Sequence, residues 1–300
     1  MAERRATQYK LNMCPVISST SNPRIVAARK LRQKKHRIQQ DRFLVEGLQL
    51  VARALEQQTT AAWVHHVVPA DVYHCPSAFT SPLAEKLVEQ FEEAGGQAVE
   101  VSESVLESLS SRAMNQGLIA TFARSALRWS VDEIARHVQA GRPQLLLALD
   151  GIQYPGNLGT LLRTADAIGC LAVVQLGAGA DSTDPLALRG SMGSAFAVPL
   201  VHTEDLAPIR AGAFAAFSLV GSDASADGTL WDAQALTGSA ILCLGNEAHG
   251  LSPAVRSALN ACLALPMAPG VDSLNVAVAG GVLMYEWKRR NSVGGISPRP

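Results

Sequence analysis

The sequence is short of the motifs that most often announce a nucleotide, metal or acyl-transfer enzyme. It has no G-x-x-x-x-G-K-[ST] phosphate loop, no complete G-x-G-x-x-G and no G-x-S-x-G elbow. A dinucleotide-dependent oxidoreductase therefore loses its main support, and the field narrows to ligands held by other loop backbones. The five cysteines, Cys14, Cys75, Cys170, Cys243 and Cys262, never take C-x-x-C spacing. That argues against a zinc site and for buried, reduced thiols, as in the cytoplasm. None of the seven histidines falls in a metal-ligand cluster, so no metal is expected. Long apolar runs are missing too. The best, Val276–Tyr285, is about half of what a bilayer requires, and the first residues lack the apolar segment of a secretory signal.

What is present is cationic charge gathered at one end. Residues 1–53 carry twelve Lys and Arg against three acids, so this segment is strongly basic and the rest of the neutral chain equally acidic. ARKLRQKKHRIQQDR (Ala28–Arg42) concentrates it, with almost no counter-charge. A solvated helix face is the plain reading of a charge run. Segregation this strong points instead to a polyanion, with Arg29, Lys30, Arg32, Lys34, Lys35 and Arg37 as candidate nucleic-acid contacts.

Three hundred residues suggest two domains. Residues 1–16 read as a flexible leader. SSTSNPRIVAARKLRQKKHRIQQ predicts one helix capped by Ser21 or Asn22, with Pro23 at its first position and Ile25, Leu31 and Ile38 as its apolar stripe. Strands at RFLVEG, AAWVHHVVP, AVEVS and GLIATFAR alternate with helices, giving a small α/β domain over 17–124. Residues 125–143 read as a linker. From 144 to 291, near-continuous apolar strands (LLLALD, LAVVQLG, AFAVPLV, FAAFSLV, AILCLG, CLALP) alternate with helices at Thr160–Ile168, Pro185–Ser194, Glu204–Arg210, Pro253–Asn260 and Ser273–Arg289. This pattern predicts a parallel sheet covered on both faces. Residues 292–300 read as a flexible tail.

In such sheets ligands bind beyond the carboxyl ends of the strands, and three loops there are unusual. In DGIQYPGNLGTLLRTADAIGC, Gly151, Pro155, Gly156, Asn157 and Gly159 form a permissive turn, and Arg163 stands off the buried stripe near the expected helix start. There it favours an anion, unless it is simply a surface arginine. In LGNEAHGLSP, Glu247 directly follows a buried strand, where a carboxylate is costly unless paired or used; it could also cap a neighbouring helix. In LPMAPGVDSLNVAVAGGVLMYEW, a Pro/Gly loop leads into a helix begun by Asp272 or Ser273, thinned by Ala277, Ala279, Gly280 and Gly281.

Together and in this order the loops resemble the SpoU–TrmH family of AdoMet-dependent RNA 2′-O-ribose methyltransferases. Asn157, Gly159, Arg163 and Thr164 match its N-x-G-x-x-x-R-T motif; Gly245, Glu247, Gly250 and Leu251 match G-x-E-x-x-G-(L/M). Leu265, Pro266, Met267, Ser273, Leu274, Asn275 and Val276 match (I/L)-P-M…S-L-N-V. The basic half is similar, more weakly, to the family's substrate-binding extension, chiefly through SxxNPRI…ARKL and FLVEG. The resemblance implies an α/β fold in which a knotted (trefoil) parallel-sheet methyltransferase domain follows a smaller α/β RNA-binding domain. It implies a homodimer through the knotted domain, joined by the thin C-terminal helix and with an active site completed across subunits. It implies S-adenosyl-L-methionine bound by Leu244, Gly245, Asn246, Gly250, Leu265, Pro266, Met267 and Leu274. Arg163, Asn157, Glu247, Ser273 and Asn275 become the catalytic candidates, with Asn157 and Glu247 orienting Arg163. A separate basic domain favours ribosomal RNA, 23S above all, over tRNA; a resistance methyltransferase or a silent RNA-binding relative shares the same motifs.

Overall fold

The computed structural model describes residues 16–60, 67–111, 115–224, 226–232 and 234–292. The chain divides into two compact units, the first built from residues up to 59 with 67–125, the second including everything from residue 126. The expected leader and tail fall almost wholly outside the described residues.

In the first unit, helix α1 (Pro23–Lys30) starts where Asn22 Oδ1 accepts the Arg24 N–H at 2.9 Å, with Pro23 at the first position. It buries Ile25 and Ala28, then stops. The single long helix expected here is two: residues 31–33 break it, and α2 (Lys34–Gln40) follows and ends at Asp41 in a left-handed conformation. Ile38 is accordingly exposed and takes no part in an apolar stripe. Next come β1 (Arg42–Glu46), α3 (Leu48–Thr60), β2 (Pro69–His74), α4 (Pro82–Glu93), β3 (Gln97–Glu100), α5 (Glu103–Leu109) and β4 (Leu118–Ala123). The strand expected at 61–69 lies largely outside the described residues, and the strand observed nearby is β2. The sheet runs β1-β4-β2-β3, with β4 antiparallel to both neighbours and β2 parallel to β3. Leu118–Phe122 are all buried, because β4 is covered on both faces.

The second unit is an eight-stranded sheet whose pairings are all parallel, in the order β10-β12-β9-β11-β6-β7-β8-β5. Its elements are β5 (Arg128–Trp129), α6 (Val131–Ala135), β6 (Leu145–Asp150), α7 (Pro155–Ile168), β7 (Ala172–Leu176), α8 (Pro185–Ser191) and β8 (Leu200–Thr203). β9 (Ser218–Ser222), β10 (Gly228–Thr229), β11 (Ala240–Gly245), α9 (Pro253–Ala258), β12 (Ala261–Ala264) and α10 (Val276–Asn291) complete it. Leu145 through Leu149 are each at most 1% exposed, so each leucine contributes roughly 1.5–3 kcal/mol of transfer free energy before ordering costs. The stretch 125–143 is more than a linker: β5 pairs with β8 at the sheet edge, and Ile134 joins the core. The strands expected at AFAVPLV and FAAFSLV sit about four residues later, and Glu204–Arg210 holds only a short 3-10 turn.

From β6 the chain winds outward through β7 and β8, then crosses to the other side of β6 and places β11 beside it. The reversal falls between β6 and β11. Their carboxyl ends are where such sheets open a crevice, and they lead into the first two unusual loops.

Candidate active site

The three loops converge. Glu247, two residues past β11, accepts the N–H groups of Gln153 (3.1 Å) and Tyr154 (3.2 Å), at the entry to α7. It also accepts the Asn157 side-chain amide at 3.0 Å. Asn157 Oδ1 in turn accepts the Asn275 amide at 3.0 Å, and Asn275 Oδ1 caps α10 by accepting from Ala277 and Val278. Asn157, only 8% exposed, is thus the middle of a clasp joining all three segments. Asn246 adds a bond to the Gly151 carbonyl at 2.8 Å, and Asp150 accepts the Ser252 N–H at 2.6 Å. Desolvation alone would raise the Glu247 pKa. The Asn157 amide and surrounding backbone N–H groups outweigh it and hold the carboxyl below its usual range.

A cavity of about 520 Å³ opens beside the clasp, lined by the second and third loops and by no residue of the first. Leu244, Gly245, Asn246, Gly250, Leu265, Met267 and Leu274 line it, as do Glu247, Ser273 and Asn275; Pro266 does not. Sequence reading missed Ser222, Asp223, Ala224 and His249, which also line it. Ser222 ends β9 and Asp223 and Ala224 follow it; the strand's end was expected two residues earlier, so the loop beyond it went unnoticed. A larger hollow of about 870 Å³, between Gln139–Gln144 and the end of α10, holds none of the motif residues. Among the described residues, no group of three His, Cys, Asp or Glu is placed to hold a metal.

Gly159 has another duty than the turn expected of it, whereas Gly280 thins α10 for close packing as expected. The Pro-Gly-Asn stretch is the first turn of α7, which begins at Pro155. A Cβ on Gly159 would stand 2.4 Å from the Ala187 carbonyl oxygen and 2.9 Å from the Ser191 nitrogen, so this glycine lets α7 and α8 touch backbone to backbone. On Gly280 a Cβ would meet Leu244 at 2.5 Å and Leu161 at 2.6 Å, which seats α10 on β11 and α7.

Arg163 consequently lies more than two turns into α7, beyond the reach of its N-terminal dipole. It is exposed and makes no hydrogen bond or ion pair with any described residue. Neither Asn157 nor Glu247 orients it, because both are engaged in the clasp, and Arg163 does not line the cavity of its own chain. Asn275 precedes α10 as its cap and does not sit inside its first turn.

The basic stretch is less available than its charge suggests. Arg37 is 1% exposed, and its guanidinium donates to the Leu31 (3.1 Å) and Arg32 (2.8 Å) carbonyls freed by the break between α1 and α2. It is a structural residue, so its place among the RNA contacts does not stand. Arg32 donates to the Ser108 and Ser110 carbonyls, and Arg29, half-buried, reaches the Thr20 carbonyl. Lys30, Lys34 and Lys35 remain exposed. Burial pushes the Cys170 and Cys243 thiols up to about 12, where they stay protonated.

A parallel sheet with a loop-built cavity at the carboxyl ends of its strands, beside a Glu–Asn–Asn clasp, defines a ligand-binding α/β class. The SpoU rRNA Methylase family matches residues 144–285, and an MRM3-like substrate binding domain matches residues 22–120. The chain is 33% identical over 278 residues to an uncharacterised tRNA/rRNA methyltransferase of Synechocystis, covering 91% of this chain and 93% of the relative. It is 31% identical over 235 residues to the 23S rRNA (guanosine-2′-O-)-methyltransferase RlmB of Bordetella pertussis, covering 75% and 95%. A crystal structure of an AdoMet-bound rRNA methyltransferase from Sinorhizobium meliloti superposes with a TM-score of 0.77 at 29% identity, covering 93% and 99%. The chain belongs to the SpoU family of RNA methyltransferases.

Proposed function

We propose that this protein transfers the methyl group of S-adenosylmethionine to a ribose 2′-hydroxyl of 23S ribosomal RNA, as a homodimer in the cytoplasm. The observation that carries the reading is the Glu247–Asn157–Asn275 clasp, which ties the start of α7 to the two segments, after β11 and before α10, that line the cavity. That cavity suits the donor. Leu244, Leu265 and Met267 offer apolar walls for an adenine, the Gly245–Gly250 and Ser273–Val276 segments offer peptide groups, and Asp223 and Glu247 offer negative charge toward a cation.

The donor supplies an already activated methyl on a positive sulfur, so the protein's share is alignment and management of the hydroxyl proton. Arg163 stays protonated and is no free base. With all its donors open, it is suited to anchor the phosphate beside the target ribose and to stabilise alkoxide charge as it develops. Because Arg163 misses the cavity of its own chain, the reading places it in the partner's active site. The outward face of α10 supports this: Val278, Val282 and Tyr285 are exposed at helical spacing, and Leu186 and Met192, at the two ends of α8, are exposed too. Such an apolar face on one side of a domain fits a subunit contact. Residues 17–124 would hold the RNA and 144–291 the donor.

Purified protein should move a labelled methyl from S-adenosylmethionine onto deproteinised 23S RNA at one 2′-hydroxyl, located by resistance of the adjoining bond to alkaline cleavage. Labelling of tRNA with no labelling of ribosomal RNA would overturn the substrate; binding of RNA with no transfer to any RNA would overturn the activity.

A further inference from the structure

The expected cationic helix largely dissolves into structural bonds, and a different pair of arginines in the same unit converges instead. Arg24, from the first turn of α1, and Arg42, the first residue of β1, both ion-pair with Asp71 on β2. Asp71 is 6% exposed, and the Thr121 hydroxyl also lies against it. Burying one carboxylate calls for one cation. Here there are two, which leaves an excess positive charge, and neither arginine is buried. Arg24 also donates to Gln97 Oε1 at 2.7 Å.

These groups border a cavity of about 270 Å³, with Gln40 and Gln97 at its edges and Ala27, Ala28 and Leu31 of the α1 segment as its apolar side. The Gln40 amide already donates one of its two N–H groups to the Ala27 carbonyl at 3.2 Å. A guanidinium has five N–H donors in a rigid fork. Asp71 takes one from each arginine and Gln97 one more from Arg24, so most remain for a ligand with several oxygens. Two forks pinned from behind by a common carboxylate cannot swing away, which removes much of the ordering cost of clamping an anion.

We infer that Arg24 and Arg42 form a phosphate subsite for the RNA backbone, and that this pair, more than the Lys34–Arg37 helix, sets the grip of the first unit on its substrate. The inference rests on the RNA-binding reading above. Asp71 acts as a positioning residue that holds both forks in register, and an RNA phosphate is the ligand because the established family chemistry brings that polyanion to the protein.

The test measures affinity for a 23S RNA transcript against salt concentration, with full-length protein and no methyl transfer required. Arg42→Gln is the main variant, since Arg42 is the more exposed of the pair and Arg24 can continue to neutralise Asp71. Affinity should fall three- to tenfold, and the slope of log K against log salt should shrink by about one phosphate contact. Arg42→Lys should recover the slope but only part of the affinity, because a point charge replaces a fork. Lys35→Gln should change affinity less than twofold. Thermal melting of Arg42→Gln should stay within about a degree of wild type; if it drops further, Arg24→Lys, which keeps the neutralising charge, replaces it as the readout. An unchanged salt slope in a folded Arg42→Gln protein overturns the subsite. Failure of the wild-type protein to bind the transcript at all overturns the RNA reading itself.

Discussion

The loops beyond β6 and β11 and the helices at the start of the chain are both dense in polar residues, and the fold uses the two sets in opposite ways. In the loops, Asn157, Glu247 and Asn275 bond to one another and leave one cation, Arg163, exposed and unpartnered among the described residues. In the helices, cations themselves serve as structural pieces. Arg37 closes the break between α1 and α2, and Arg32 ties down the end of α5. A charge that repairs backbone carbonyls in a fold has little left to offer a distant ligand, whereas a neutral clasp keeps a nearby charge free. Counting cations therefore measures the potential of a segment, and the carbonyls left open by its helix ends decide how much of it reaches the surface.

The sharpest way to break this contrast is to remove the free cation. Arg163→Ala takes away no bond of the folded chain, so melting temperature and S-adenosylmethionine affinity should stay within about twofold of wild type. Methyl transfer should fall by about 10²–10³-fold, the usual cost of losing one donor to developing charge. Calorimetric binding beside a labelled-methyl assay gives both numbers, and equal loss in both would make Arg163 a structural residue. Mixed dimers carrying Arg163→Ala in one subunit and Asn275→Ala in the other should regain transfer that neither parent shows, because one of the two composite sites is then intact.

The next largest effect belongs to the clasp and its packing. Asn157→Ala removes both side-chain bonds of the clasp, leaving the exposed Asn275 amide to solvent and Glu247 Oε1 with the Tyr154 N–H alone, at about 1 kcal/mol. Cofactor affinity should drop by roughly tenfold or more alongside stability. Gly159→Ala drives a methyl into the α8 backbone and should cost about 1–3 kcal/mol. At ~2–4 °C per kcal/mol for a domain of this size, melting should show it clearly. Gly281→Ala is the control. Nothing lies within 4 Å of the added carbon, and alanine favours a helix, so the monomer fold should be unharmed or slightly stabilised. Destabilisation by Gly281→Ala matching that of Gly159→Ala would show that the small residues reflect helix composition and not close approach.

Much of this organisation could be read from the amino acids, and the misses have specific causes. Runs such as LLLALD and AILCLG, apolar throughout and flanked by glycine, gave the central parallel strands because only a doubly covered strand tolerates them. Asn22-Pro23 marked the start of α1 by cap chemistry alone. The start of α7 was missed because Pro155, Gly156 and Asn157 read as a turn; proline is equally suited to a first helical position, and tertiary contact through Gly159 outweighed the poor helix propensity. The break after α1 was missed because nothing local to 31–33 forbids a helix, and only the Arg37 bonds reveal it. Three motifs named the site's residues, yet their division of labour lies in pairings across 90 and 118 residues, Asn157 to Glu247 and Asn157 to Asn275, that no spacing reports.

The smallest expected effect separates two carboxylates by acidity. Glu247 sits in the clasp with a pKa held below its ordinary 4.5, through the Asn157 amide and neighbouring N–H groups that overcome its desolvation. Glu286 is held lower, to about 2, first by its bond to Arg289 and then by Arg290. A group whose carboxyl is more acidic folded than unfolded stabilises the fold above its unfolded pKa and loses that contribution as pH falls through the folded one. Cofactor affinity should therefore be level from pH 8 down to about 5, and should start to fall below 4.5 as Glu247 gains a proton and releases Gln153 and Tyr154. The Glu286 contribution, remote from the cavity, should persist to lower pH and appear in melting alone. Glu247→Gln keeps one carbonyl acceptor toward Asn157 and cannot titrate. Its affinity should be lower than wild type at neutral pH but flat across the acid limb, so the gap closes as wild-type affinity falls. An acid limb unchanged by Glu247→Gln would assign the titration to another carboxylate lining the cavity, with Asp223 the first to substitute, and would remove the charge of Glu247 from the clasp.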